Sequence, residues 1–167
     1  MNTDFFKHVL WFIVLVLAQV FVFNNIHLFG IATPFINLYF ILQFSKSAPQ
    51  WATMFFAFLM GIVIDTFANT PGVSSASLTL LAAIQPFVLS PFVPRDSIED
   101  FKPSISSLGF LAYFWYVSIL ILIYAVCFFT LDMFSFFNII QWLQYVGGSS
   151  LLTILLIYII EQVRSRL

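Results

Sequence analysis

One carboxylate stands inside an apolar run: Asp65, in AFLMGIVIDTFANTPGVSSASLTL over 57–80. An ionisable side chain in hydrocarbon is costly, so it faces protein or water and marks a site. Gly61 precedes it by one helical turn, and Ala68-Asn69-Thr70-Pro71-Gly72 follows as a short polar turn. Two readings of Asp65 stay open. It bonds that turn or the small surface Ser74 to Ser77, as buried polar groups normally do. Alternatively it holds open a polar notch that receives a partner or substrate.

Other chemistry is sparse. His27, Asp65 and Asp132 could gather as a metal or proton site, although isolated acids at helix ends are usually solvated or capping. The single Cys127 offers neither a disulfide framework nor a thiol cluster and reads as a small packing residue. The sequence shows no phosphate-cradling glycine loop, zinc-spaced histidine pair, Ser/His/Asp set or Cys/His set. The reading is therefore a non-enzyme, with no catalytic residue, cofactor or metal assigned.

The elements that position Asp65 follow from composition. Hydrophobic residues make up 62% of 167 and charged residues 8%, with mean hydropathy +1.04 and 23 Phe. Soluble domains carry about a quarter charged residues, so this chain cannot build a water-facing surface. The expectation is one all-α integral membrane domain over 1–167, a six-helix transmembrane bundle. Its spans are read at about 9–23, 31–44, 51–67, 73–93, 108–131 and 139–160.

The first run carries Gln19, read as a hydrogen bond to a neighbouring helix. No small-x-small cleavage site follows it, so it reads as an uncleaved helix. The second run is short, with Pro34 near its start, where a missing N–H is tolerated. Asn37, Tyr39 and Gln43 make one side less oily, as a short or tilted helix inside the bundle would have. Small residues from Ser74 open the fourth run and permit close helix approach, and Pro86 after Gln85 is expected to kink it. The stretch 95–107 reads as a solvated loop with a short interfacial helix. In the sixth run Gln141, Gln144 and Gly148 share one face, expected to turn inward, and 161–167 reads as a polar tail.

Every Lys and Arg falls on one side of the six runs: Lys7, Lys46, Arg95, Lys102, Arg164 and Arg166. The positive-inside rule then places both termini in the cytoplasm, and His27, Asp65 and Asp132 toward the outer face. Lys and Arg are absent from the runs themselves, which disfavours handling of a pyrophosphate-linked lipid, whose phosphates need cationic partners. Nucleic acid is not an expected partner; membrane lipid is, and self-association into a homo-oligomer stays open.

Gln19, Gly30 with Pro34, and above all Gly61-x-x-x-Asp65 with Gly72 resemble the rod shape-determining protein MreD family, in order and spacing over nearly the whole chain. Some members carry a basic residue just before the Pro or just after the turn Gly; this chain has Thr33 and Val73-Ser74. The resemblance implies a bacterial inner-membrane scaffold of the cell-elongation machinery. It would bind MreC and, indirectly, MreB, RodA and its partner transpeptidase, supporting lateral peptidoglycan synthesis. It also implies a fold similar to the substrate-binding subunits of energy-coupling-factor transporters. Such a vitamin- or metal-binding subunit is the alternative function, with His27, Asp65, Gln19 and Gln85 as pocket candidates. Gln19, Pro34, Gly61, Asp65, Gly72, Ser74, Gln144 and Gly148 are the candidate partner-binding or structural residues.

Overall fold

A computed structural model describes residues 2–22, 33–45, 48–93, 101–133 and 138–164, with side chains from Leu10 onward. Among them the fold is all-helical. The helices are α1 (Asn2–Phe21), α2 (Leu38–Leu42), α3 (Gln50–Ala68), α4 (Val73–Leu89), α5 (Ile105–Leu108), α6 (Phe110–Met133) and α7 (Ile139–Arg164). A 3₁₀ turn, Ser90–Phe92, extends α4.

Four helical stretches are long and apolar enough to cross a membrane: Gln50–Ala68, Val73–Phe92, Phe110–Met133 and Ile139–Arg164. α1 is apolar from Leu10 to Phe21. The outer surface shows what solvent it suits. Leu10, Phe21, Trp51, Phe55, Leu111, Leu122, Leu151 and Leu155 are exposed, whereas Gln19, Asn37, Asp65, Gln85, Ser149, Thr153 and Glu161 are buried. Polar side chains inside and large apolar ones outside suit a hydrocarbon environment, where association relies on packing and interhelical hydrogen bonds.

Contacts between side chains give the direction of each element. Trp11 meets Tyr39, Phe12 meets Phe40, and Gln19 meets Pro34, so 33–42 runs antiparallel to α1. Phe12 meets Phe56 and Phe21 meets Phe67, so α3 runs parallel to α1. Phe129 meets Tyr145 and Phe110 meets Tyr158, so α6 and α7 are antiparallel.

The second hydrophobic run departs from the expected spanning helix. Its described part is extended at 33–35, turns at 36–37 and forms only the five-residue helix α2. Residues 34–42 are all buried. Non-helical backbone at membrane depth survives only where protein covers it and supplies its hydrogen bonds. The side chains that do so come from α1 and α7.

Two further expectations, both on α7, are corrected. In α7, Gln141 and Gln144 are exposed and Gly148 is half-buried; the inward stripe is Val146, Ser149, Ser150, Thr153, Ile157 and Glu161. This stripe keeps the helical period while avoiding the glutamines, which sit in the first turns of the helix where they stay outside the packed face. Glu161 belongs to that buried stripe and not to a polar tail, because α7 continues to Arg164. Pro86 lies inside α4, and the helical bonding resumes directly after it, with Ser90 N–H donating to the Pro86 carbonyl. In the loop after α4, the expected short helix is α5, held by a Ser104/Ser107 capping box.

Candidate functional site

The α3–α4 hairpin shows how Asp65 is used. Helix α3 ends on Asn69 in the left-handed region, φ 57°, with its N–H donating to the Asp65 carbonyl. Asn tolerates that conformation better than most residues. Gly72 then takes φ 83° as the residue before α4, a conformation that L side chains rarely adopt. The first N–H groups of a helix have no partner inside it. Here the Asp65 carboxylate supplies one: Oδ1 accepts from Ser74 N–H at 2.8 Å and Oδ2 from Ser75 N–H at 2.9 Å. Thr70 Oγ1 donates to Oδ1 at 3.1 Å. A carboxylate from one helix thus caps the next, and its charge meets the positive end of the α4 dipole.

Gly61 makes that geometry reachable. A Cβ built on it would lie 2.2 Å from Ser75 Cα and 2.6 Å from Ser75 N. The two helices meet backbone to backbone one turn below the cap, as small residues allow in membrane bundles. Gly61, Asp65, Gly72 and Ser74 therefore form one device: Gly61 sets the distance, Gly72 the turn, and Asp65 the cap on Ser74 and Ser75.

A second device holds the buried extended segment. Gln19, 1% exposed, accepts from Ile36 N–H at 2.9 Å and from Asn37 N–H at 3.4 Å through Oε1. Its Nε2 donates to the Pro34 carbonyl at 3.1 Å. From α7, Ser149 Oγ accepts Thr33 N–H at 3.0 Å and Thr153 Oγ1 accepts Phe35 N–H at 3.1 Å. Pro34 brings no N–H to satisfy, so the donors of 33–37 are covered without a gap. Every buried polar group in this stretch would otherwise cost about 1–3 kcal/mol.

Between the two devices lies a cavity of about 670 Å³. Gln19, Thr33, Phe35 and Asn37 line one side; Phe67, Thr70 and Ser74 another; Tyr124, Phe128, Phe129, Asp132 and Tyr145 the rest. The Asp65 carboxylate does not line it, being committed to its three donors. Gln85 lies far off, near the opposite end of α4, where it donates to Tyr116 Oη at 3.0 Å and weakly to the Phe44 carbonyl at 3.4 Å. Of the proposed His27–Asp65–Asp132 grouping, His27 lies outside the described residues, as does Gly30. Asp132 sits at the cavity edge. Among the described residues no group of three or more His, Cys, Asp or Glu could hold a metal ion. Gln144 and Gly148 do not join either device.

At the opposite end of the bundle is a cluster that sequence reasoning missed. Glu161, 3% exposed, accepts from Tyr39 Oη at 2.7 Å, and Arg164 reaches both the carboxylate, at 3.8 Å, and Tyr39 Oη, at 3.3 Å. Buried charge is tolerated when paired and hydrogen-bonded. The available signal was the helical period of α7, which places Glu161 below Thr153 and Ile157 on one stripe. Ser149 and Thr153 were likewise invisible as partners of the second run.

Comparison with protein-family models, with curated proteins and with solved structures gives no match.

Proposed function

We propose that this chain is a non-enzymatic scaffold of the MreD type, a six-pass bundle in the bacterial inner membrane with both termini cytoplasmic. It would bind the single-span protein MreC and so serve the MreB- and RodA-containing elongation complex. One observation supports this reading most. The residues that carry the resemblance, Gln19, Pro34, Gly61, Asp65 and Gly72, sit in two devices that rigidify the fold. Their polar atoms are bound to backbone groups, which is the use a docking platform makes of them. The alternating element directions, with 33–45 as the second pass, agree with six passes.

The test is affinity purification from native membranes of a bacterium carrying the tagged chain. Recovery of a single-span MreC protein in stoichiometric amount, lost in Gly61→Leu, is the expected result. Purification of the intact chain without such a partner would overturn it. The cavity favours a second reading, a substrate-binding subunit of an energy-coupling-factor transporter. That reading would be chosen if the chain instead co-purified with a transmembrane coupling subunit and ATPases.

A further inference from the structure

One face of α7 takes no part in either device. Gln144, Gly147, Gly148, Leu151 and Leu155 follow one another at helical spacing. They lie opposite the buried stripe of Val146, Ser149, Ser150, Thr153 and Ile157. Leu151 and Leu155 are exposed, as lipid-facing leucines are. Gln144 is the anomaly. It too is exposed, and its amide has no hydrogen-bond partner among the described residues. Gln141, one turn earlier, is by contrast bonded to Tyr145 Oη at 3.2 Å.

Depth makes a free amide costly here. α7 has 26 residues, a length of about 39 Å at roughly 1.5 Å per residue, against a hydrocarbon core of about 30 Å. Centred in that core, the helix overhangs by about 4–5 Å at each end, whereas Gln144 stands about 7.5 Å from its first residue. Tyr145 beside it stacks on Phe129, a turn of α6 deeper than Asp132. Lipid tails supply neither donor nor acceptor. Gly147 is the second oddity. Consecutive glycines weaken a helix, yet a Cβ built on Gly147 meets nothing within 4 Å. Gly61 admits the α4 backbone; nothing in the described fold requires a glycine at 147.

The chemistry of the face selects its occupant. No charged residue occurs from 139 to 160, so the face offers nothing to a charged partner helix. A carboxamide both donates and accepts, so Gln144 is complementary to a second Gln144. All copies insert in one orientation, so two α7 helices meet in parallel about a twofold axis along the membrane normal. At such an axis a residue faces its own counterpart. Close approach at small residues and a hydrogen bond beside it are the two means by which membrane helices associate.

We propose that this chain forms a parallel homodimer through the outward face of α7, with Gly147 and Gly148 at the crossing, Gln144 bonded to its counterpart, and Leu151 and Leu155 packed below. The dimer goes beyond the scaffold reading and requires only that α7 crosses the membrane.

The test uses the full chain alone in phosphatidylglycerol–phosphatidylcholine vesicles. Energy transfer between donor- and acceptor-tagged copies is followed as the protein is diluted with lipid. We expect a saturable dimer that Gln144→Leu weakens about five- to thirtyfold and Gly147→Leu at least as much. Both side chains point away from the fold, so both variants keep it. In a Cys127→Ser background, Leu151→Cys should cross-link to its counterpart on oxidation, while Leu122→Cys, exposed on α6, should not. A chain that stays monomeric at every dilution, variants that associate like the wild type, or equal cross-linking from Leu122→Cys would each overturn the proposal. A monomeric chain whose co-purifying membrane partner is lost in Gly147→Leu would overturn it in favour of a partner's helix on the same face.

Discussion

Replacing Gly61 by Ala puts opposing effects against each other, and the structure decides the sign. In an unobstructed helix the change favours folding by roughly 1 kcal/mol, because Ala costs less backbone entropy than Gly. Here the new methyl would stand 2.2 Å from Ser75 Cα, where ordinary contact begins at 3.4 Å. The α4 backbone must then retreat by about 1 Å, since close-packed interiors offer no free volume. That retreat would stretch the 2.9 Å bond from Ser75 N–H to Asp65 Oδ2 beyond the range of a useful hydrogen bond. Overpacking costs about 1–3 kcal/mol, and a lost bond to a charged acceptor about 1.5–3 kcal/mol. Less the propensity gain, the net loss is about 1.5–5 kcal/mol. The assay is reversible unfolding in mixed micelles by titration with sodium dodecyl sulfate. Gly61→Ala should also cost less in an Asp65→Asn background, because both changes act on Ser75 and neighbouring sites couple by about 0.5–3 kcal/mol. A variant as stable as the wild type, or more so, would refute the close-approach argument. Strict additivity would refute the link between approach and cap.

Gln19→Leu should destabilise by about 2–4 kcal/mol, because Pro34 O, Ile36 N–H and Asn37 N–H lose their partner together. Hydrogen exchange at Ile36 should accelerate, and Gln19→Glu, which keeps the acceptor, should lose less. On α7, Thr153→Val should cost about 1–3 kcal/mol by orphaning Phe35 N–H. Gln144→Leu, on the exposed face, should stay within about 0.5 kcal/mol; the same micelle titration reads both, and a reversed order would sink the assigned helix face. Tyr39→Phe removes the 2.7 Å donor from buried Glu161 and should cost about 1.5–3 kcal/mol. A double-mutant cycle with Glu161→Gln should show coupling of about 0.5–3 kcal/mol, and none would mean that the cluster is not one unit.

What the sequence discloses here is set by the range of the interactions involved. The four long spans are legible because hydrophobic length is a local property, and Asp65 is legible because an isolated carboxylate in an apolar run is locally anomalous. The cap follows from short-range geometry: Asp65 meets Ser74 and Ser75 nine and ten residues on. The second run is the counter-case. Its apolar residues and Pro34 are equally consistent with a short helix and with a buried extended strand, because both hide every side chain. What selects the extended form is hydrogen bonding from Ser149 and Thr153, 116 and 118 residues away. No local pattern announces those bonds. The same reason misplaces the inward face of α7: glutamine is the more conspicuous polar residue in a membrane helix, but serine and threonine are short enough to present an oxygen to a backbone at close approach. On α7 the short Ser149 and Thr153 meet the second run's backbone, the task that the longer Gln19 performs from α1. The same segment reaches the cavity: Thr33, Phe35 and Asn37 line it while their backbone N–H groups are held by Ser149, Thr153 and Gln19.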